Sequence, residues 1–137
     1  MDVSSELRDL SVQINAIIRT ISLRNGLTLP QANILLSIPT TGVSLIDLSN
    51  KLGLDISTMS RNIKKLSTMN LVIRERSSHD LREYLILFTD NGDQLASRIN
   101  NEFDNILSNI PELLINNKMF DSIEKINWLL IKSRNNL

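Results

Sequence analysis

Cysteine is absent from this 137-residue chain, which excludes disulfides, thiolate metal sites and any switch that works by thiol oxidation. Aromatic residues make up only 4% of it, so a core drawn from its 42% hydrophobic content must consist mainly of Ile and Leu. No run approaches the roughly 18 unbroken apolar residues that a membrane-spanning helix needs. The N-terminal stretch lacks a basic segment followed by an apolar one, the pattern of a secretion signal. The expected location is therefore the cytoplasm, with no membrane partner. His79 is the single histidine, and it falls in a polar stretch without the convergent ligands a metal requires. A glycine-rich phosphate loop is missing too, as is any histidine placed to activate Ser or Thr. Glu102 and Asp104 are close in sequence but point apart on a helix. These absences predict a protein that is not an enzyme and holds neither cofactor nor metal.

A further absence is local. The stretch "LDISTMSRNIKKLSTMN", Leu54 to Asn70, contains no acid between Ile56 and Met69, although the chain has 15 Asp+Glu and 15 Lys+Arg. Met59, Ile63 and Leu66 recur at steps of four and three, the apolar stripe of a helix. Its other faces carry Ser57, Thr58, Ser60, Arg61, Asn62, Lys64, Lys65, Ser67 and Thr68. A solvent-facing helix usually mixes both signs of charge to gain i,i+4 pairs. Here only hydroxyls, an amide and cations are offered, which are groups that donate to phosphates and base edges. Net charge is zero overall, yet residues 57–86 hold six basic and three acidic residues. Such a patch on a neutral protein steers one face toward phosphate.

The length fits one domain, or a core with a helical extension. Val3, Leu7, Leu10, Ile14, Ile17 and Ile21 predict a first helix over 3–23, whose narrow seam suits packing on another helix, including one in a second copy. "TLPQ" opens a second helix, with Thr28 as cap, Pro30 in the first turn and Gln31 closing a capping box. Pro39-Thr40-Thr41-Gly42 reads as a turn. Ser44 and Asp47 signal a third helix with Leu45, Leu48 and Leu52 inward, ended by Gly53 in a left-handed conformation. Asp55 caps the acid-free helix, and Asn70 tolerates the positive φ needed at its exit. Leu71–Arg76 and Glu83–Phe88 alternate as strands of a β-hairpin around a polar loop. Thr89 then caps a long helix over Asp90–Ile110, stopped by Pro111, and residues 117–134 form a last helix that is apolar on more than one face.

Helix, three-residue turn, helix and hairpin is the order of a winged helix-turn-helix. Ser49, Gly53 and Met59 supply the small residue, turn glycine and buried apolar residue that such a motif requires. Its second helix would lie in the major groove with its N-terminal residues at the base edges. The predicted fold class is mostly α with a small β-hairpin wing. The expected division is an N-terminal dimerisation helix (1–27), a DNA-binding domain (28–89) and C-terminal dimerisation helices (90–137).

From Thr28 to about Leu95 the chain resembles the MarR family of winged-helix transcription regulators. The matching stretches are "LTLPQANILLSI", "LSNKLGLDISTMSRNIKKLSTMNLVIRE" and "SSHDLREYLILFTDNGDQL". The last joins an Asp80-x-Arg82 wing to a Thr89-x-x-Gly92 helix start. Ser49, Asn70 and Phe88 depart mildly from the usual Ala, Gly and Leu. The resemblance implies a homodimer joined through terminal helices, reading a pseudo-palindrome in double-stranded DNA, with repression the expected direction. It also implies that Arg82 enters the minor groove, where negative potential draws a cation, and that a small phenolic or lipophilic effector is a candidate partner. The expected DNA contacts are Ser57, Thr58, Ser60, Arg61, Asn62, Lys64, Lys65 and Arg82. The alternative is a winged helix that serves protein–protein contact within a larger assembly.

Overall fold

The structure, a computed structural model, describes residues 2–80, 83–115 and 117–137, with only the backbone of Ile115. The chain divides into two compact units, residues 1–101 and 102–137. Among the described residues the order is α1 (Val3–Arg24), α2 (Leu29–Leu36), β1 (Val43–Ser44), α3 (Leu45–Leu52), α4 (Ile56–Thr68), β2 (Val72–Arg76), β3 (Tyr84–Phe88), α5 (Asp90–Ser108), α6 (Pro111–Ile115) and α7 (Asn117–Arg134).

Local chemistry sets the ends of the first unit's helices. Thr28 and Gln31 form the full capping box at α2, with Pro30 in its first turn. The Ser44 hydroxyl accepts from the Asp47 N–H at 3.1 Å to open α3, and Gly53 closes it at φ 67°. Asp55 then caps α4. Ile34, Leu35, Leu48, Met59, Ile63 and Leu66 are fully buried where α2, α3 and α4 converge. Ser49 is buried as well, and its hydroxyl donates to the Leu45 carbonyl at 2.8 Å. A Ser where Ala is usual therefore leaves no unmet polar atom and stays small enough for close helix packing.

The wing is a three-stranded antiparallel sheet in the order β1-β3-β2. The hairpin was expected; the third strand was not. β1 has two residues, pairing Val43 with Ile86 and Ser44 with Leu85, too few to show alternation in sequence. β2 and β3 run in register from Val72 opposite Phe88 to Arg76 opposite Tyr84.

A backbone joint ties the wing's entry to α5. Asn70 adopts φ 60°, the left-handed conformation expected of it. The Thr89 hydroxyl donates to the Asn70 carbonyl at 2.7 Å and accepts from the Gly92 N–H at 3.0 Å. The Thr89 N–H donates to the Leu71 carbonyl at 3.1 Å. Gly92 fits because it has no side chain: a Cβ there would stand 1.9 Å from the Leu71 carbonyl oxygen.

In the second unit, α5 ends at Ser108 rather than Ile110, and Pro111 opens α6 instead of only stopping α5. Proline disfavours helical geometry in the residue before it, while its fixed φ suits a first helical position. α7 spans the expected range, but none of its described side chains is buried.

Helix propensity alone says that Gly92→Ala should stabilise α5 by about 1 kcal/mol. The clash with backbone costs about 3 kcal/mol, the upper end for overpacking. The expected outcome is a net loss of roughly 2 kcal/mol, read from urea unfolding midpoints; a more stable variant would contradict the joint.

Candidate nucleic-acid interface

α4 is rotated so that Met59, Ile63 and Leu66 face the core, all fully buried. At 100° per residue the opposite face then carries Ser57, Arg61, Lys64, Lys65 and Thr68. All five are exposed. Three cations and two hydroxyls thus share one outward surface, as the spacing predicts. Thr58, Ser60 and Asn62 lie on the flanks and are half-buried. Their polar groups are partly engaged. Asn62 Nδ2 donates to the Thr58 carbonyl at 3.1 Å, and Arg61 Nη2 donates to the Thr58 hydroxyl at 3.3 Å. Arg82 lies outside the described residues.

The start of α4 carries one acid, Asp55, whose carboxylate accepts from the Thr58 N–H at 2.6 Å. Hydrogen bonds from the Thr58 backbone and side chain hold its pKa below the ordinary 3.8, and the charge of Arg61 adds a smaller pull. This acid is committed to the cap, so it leaves the outer face cationic.

Two arginines on the wing escaped the sequence reading. Arg74 of β2 reaches across to α4, its Nη2 3.5 Å from the Ser60 hydroxyl. Arg76 rests over the Tyr84 ring, 5.4 Å from its centroid. Both were legible as exposed strand positions, but only the tertiary structure shows that Arg74 lies beside α4. The wing loop is anchored by Ser77. Its hydroxyl accepts from the N–H groups of His79 and Asp80 at 3.2 and 3.4 Å, and its own N–H donates to the Glu83 carbonyl at 2.8 Å. Between the wing and the starts of α3 and α4 lies an open concavity of about 580 Å³, with Arg74, Asp80 and Glu83 among its lining. Among the described residues no group of three or more His, Cys, Asp or Glu could hold a metal ion.

Because the folded pKa of Asp55 is depressed, the cap's contribution is complete above the unfolded value and is lost as pH falls through the folded one. Asp55→Asn keeps a capping side chain but removes this titration. Between about pH 7 and about pH 3 the parent's urea midpoint should fall more than the variant's. Equal falls would mean that the carboxylate contributes nothing to the folded state.

Solved structures share this fold over nearly the full length of the chain. The chain is similar to a MarR protein from Peptoclostridium difficile, with 24% identity over 99% of this chain and 90% of that one, at a TM-score of 0.79. It is similar to NadR, crystallised with 4-hydroxyphenylacetate, with 22% identity over 94% and 92% of the chains at a TM-score of 0.82. It is also similar to MepR from S. aureus, solved as a DNA complex, with 17% identity over 97% and 98% and a TM-score of 0.73. These likenesses show the fold. No curated protein sequence matches the chain. Residues 16–99 match the family described as transcriptional regulator SarA/Rot. That match spans more than half of the chain, and the protein belongs to the SarA/Rot family of transcriptional regulators, built on the winged-helix fold of the MarR regulators.

Proposed function

We propose that this regulator is a homodimeric, sequence-specific repressor that binds a pseudo-palindromic site in double-stranded DNA. The observation that carries the reading is α4, whose buried stripe turns an acid-free, cationic face outward. On this reading α4 enters the major groove. Arg61, Lys64 and Lys65 hold phosphates or guanine edges, and Ser57, Thr58, Ser60 and Asn62 sit near bases. Arg82 anchors the wing in the minor groove. Residues 1–27 and 90–137 form the dimer, for which the exposed Val3, Leu10 and Ile14 of α1 and Phe120, Ile123, Trp128 and Ile131 of α7 supply apolar surface. MepR's DNA complex supports the DNA partner, and NadR's ligand supports a small phenolic effector. A cytoplasmic location fits a chain in which no described helix is long and apolar enough to cross a membrane.

Arg61→Ala should cost about 1–3 kcal/mol on the specific site through loss of a bidentate guanine contact. Lys65→Ala should instead weaken all sequences alike and flatten the salt slope by about one unit. In the same titrations Arg82→Ala should lose more on A·T-rich flanks, whose minor groove is narrow and more negative. Undiminished operator binding by Arg61→Ala would remove that side chain from the interface. Affinity indifferent to salt would favour a protein partner over DNA.

The dimer makes a separate geometric demand. Two recognition helices must be spaced by about 34–36 Å, one helical turn of DNA. Five base pairs inserted between half-sites should abolish tight binding by turning one half-site to the opposite face. Sedimentation at micromolar concentration should show a dimer; a stable monomer would refute the model.

A further inference from the structure

The first helical position of α4 is an isoleucine that the core does not use. Ile56 is 51% exposed, and Ile46 of α3, 58% exposed, lines the same concavity beside the wing. From Ser57 to Thr68 every outward residue of α4 is polar. The helix thus presents an exposed apolar side chain at one place only, the end that a recognition helix directs at base edges. One hundred degrees per residue puts Ile56 on the flank of Ser60, the side that Arg74 reaches, so a cation and a hydroxyl border it.

On the edges of the bases in the major groove, the single apolar feature is the C5-methyl group of thymine. We infer that Ile56, backed by Ile46, is a specificity-determining residue that reads a thymine methyl group in each half-site. This rests on the DNA-binding reading above and deepens it by naming the base. Ile56 and Ile46 both line the concavity, which Arg74, Asp80 and Glu83 border with charge. Apolar contact of this kind needs no hydrogen-bond partner and leaves the polar outer face free for phosphates and other bases.

The test uses the full-length protein and a duplex selected from a random library, with each thymine in turn replaced by deoxyuridine, which lacks only that methyl group. One position per half-site should lose about four-fold in affinity, the worth of one buried carbon group. Ile56→Ala should lose at least as much on the thymine duplex, yet lose little more when that position is already deoxyuridine. The deoxyuridine series needs no variant, so it decides the matter even where Ile56→Ala folds poorly. Selective duplex binding with no costly deoxyuridine position, or with additive losses in the variant, overturns the inference and leaves the DNA-binding reading standing. Absence of any salt-sensitive duplex binding overturns both.

Discussion

The rotation of α4 about its own axis is the constraint on which the interface depends. It is set by three side chains, Met59, Ile63 and Leu66, all with no exposed surface. Full burial of each stabilises by about 1.5–3 kcal/mol. The i,i+4 ion pairs that an acid-free face forgoes contribute only about 0.2–0.5 kcal/mol apiece. The core therefore fixes the orientation with a wide margin, and the outer face is free to be composed for a partner. Moving the stripe by one residue would turn the helix by 100°, bringing Ser60, Lys64 and Ser67 inward. Such a helix would have to bury a Lys ammonium, which the core could not satisfy.

Orientation of the wing relative to α4 rests on backbone contacts rather than on side-chain packing alone. α4 leaves through Asn70 in the left-handed conformation, and Leu71 leads straight into β2. Thr89 then holds both carbonyls, and Gly92 lets α5 press against them. Hydrogen bonds between fixed backbone groups allow little slack. The result places Arg74 beside Ser60, so the strand next to α4 adds a cation to that helix's flank. Ser77 extends the same logic to the start of the loop, where its buried hydroxyl accepts from the N–H groups of His79 and Asp80.

Where local chemistry decides a structure, the sequence was readable. Thr28, Ser44 and Asp55 cap helices because each is an oxygen-bearing side chain three residues before a donor N–H. Gly53 and Asn70 take positive φ because few other residues can. The unread parts depend on distant partners. β1 exists only because Val43 and Ser44 find β3 more than forty positions later, and two residues cannot announce themselves by alternation. Pro111 can end one helix or begin another, and the residues after it decided which. Arg74 was one cation among several until the packing of β2 beside α4 brought it to Ser60. The seven α4 residues chosen as contacts divide in the structure. Four are exposed on the outer face, while Thr58, Ser60 and Asn62 are half-buried on its flanks.

The exposed helices pose a question of free energy that bears on the proposed dimer. An isolated helix of about 12–15 residues is marginal in water even with good propensity. α7 has 18 residues and no buried side chain, yet Phe120, Ile123, Ile126, Trp128 and Leu130 stand exposed along it. Cover would contribute up to about 1.5–3 kcal/mol for each such side chain. Bringing two chains together costs an estimated 4–15 kcal/mol in lost freedom. In a two-fold symmetric contact each residue is buried twice, once on either chain, while the association cost is incurred once. Five side chains so doubled, with half their surface covered, contribute about 8–15 kcal/mol, the same order as that cost. On the proposed reading, a second copy of the chain would be the partner that covers these exposed side chains.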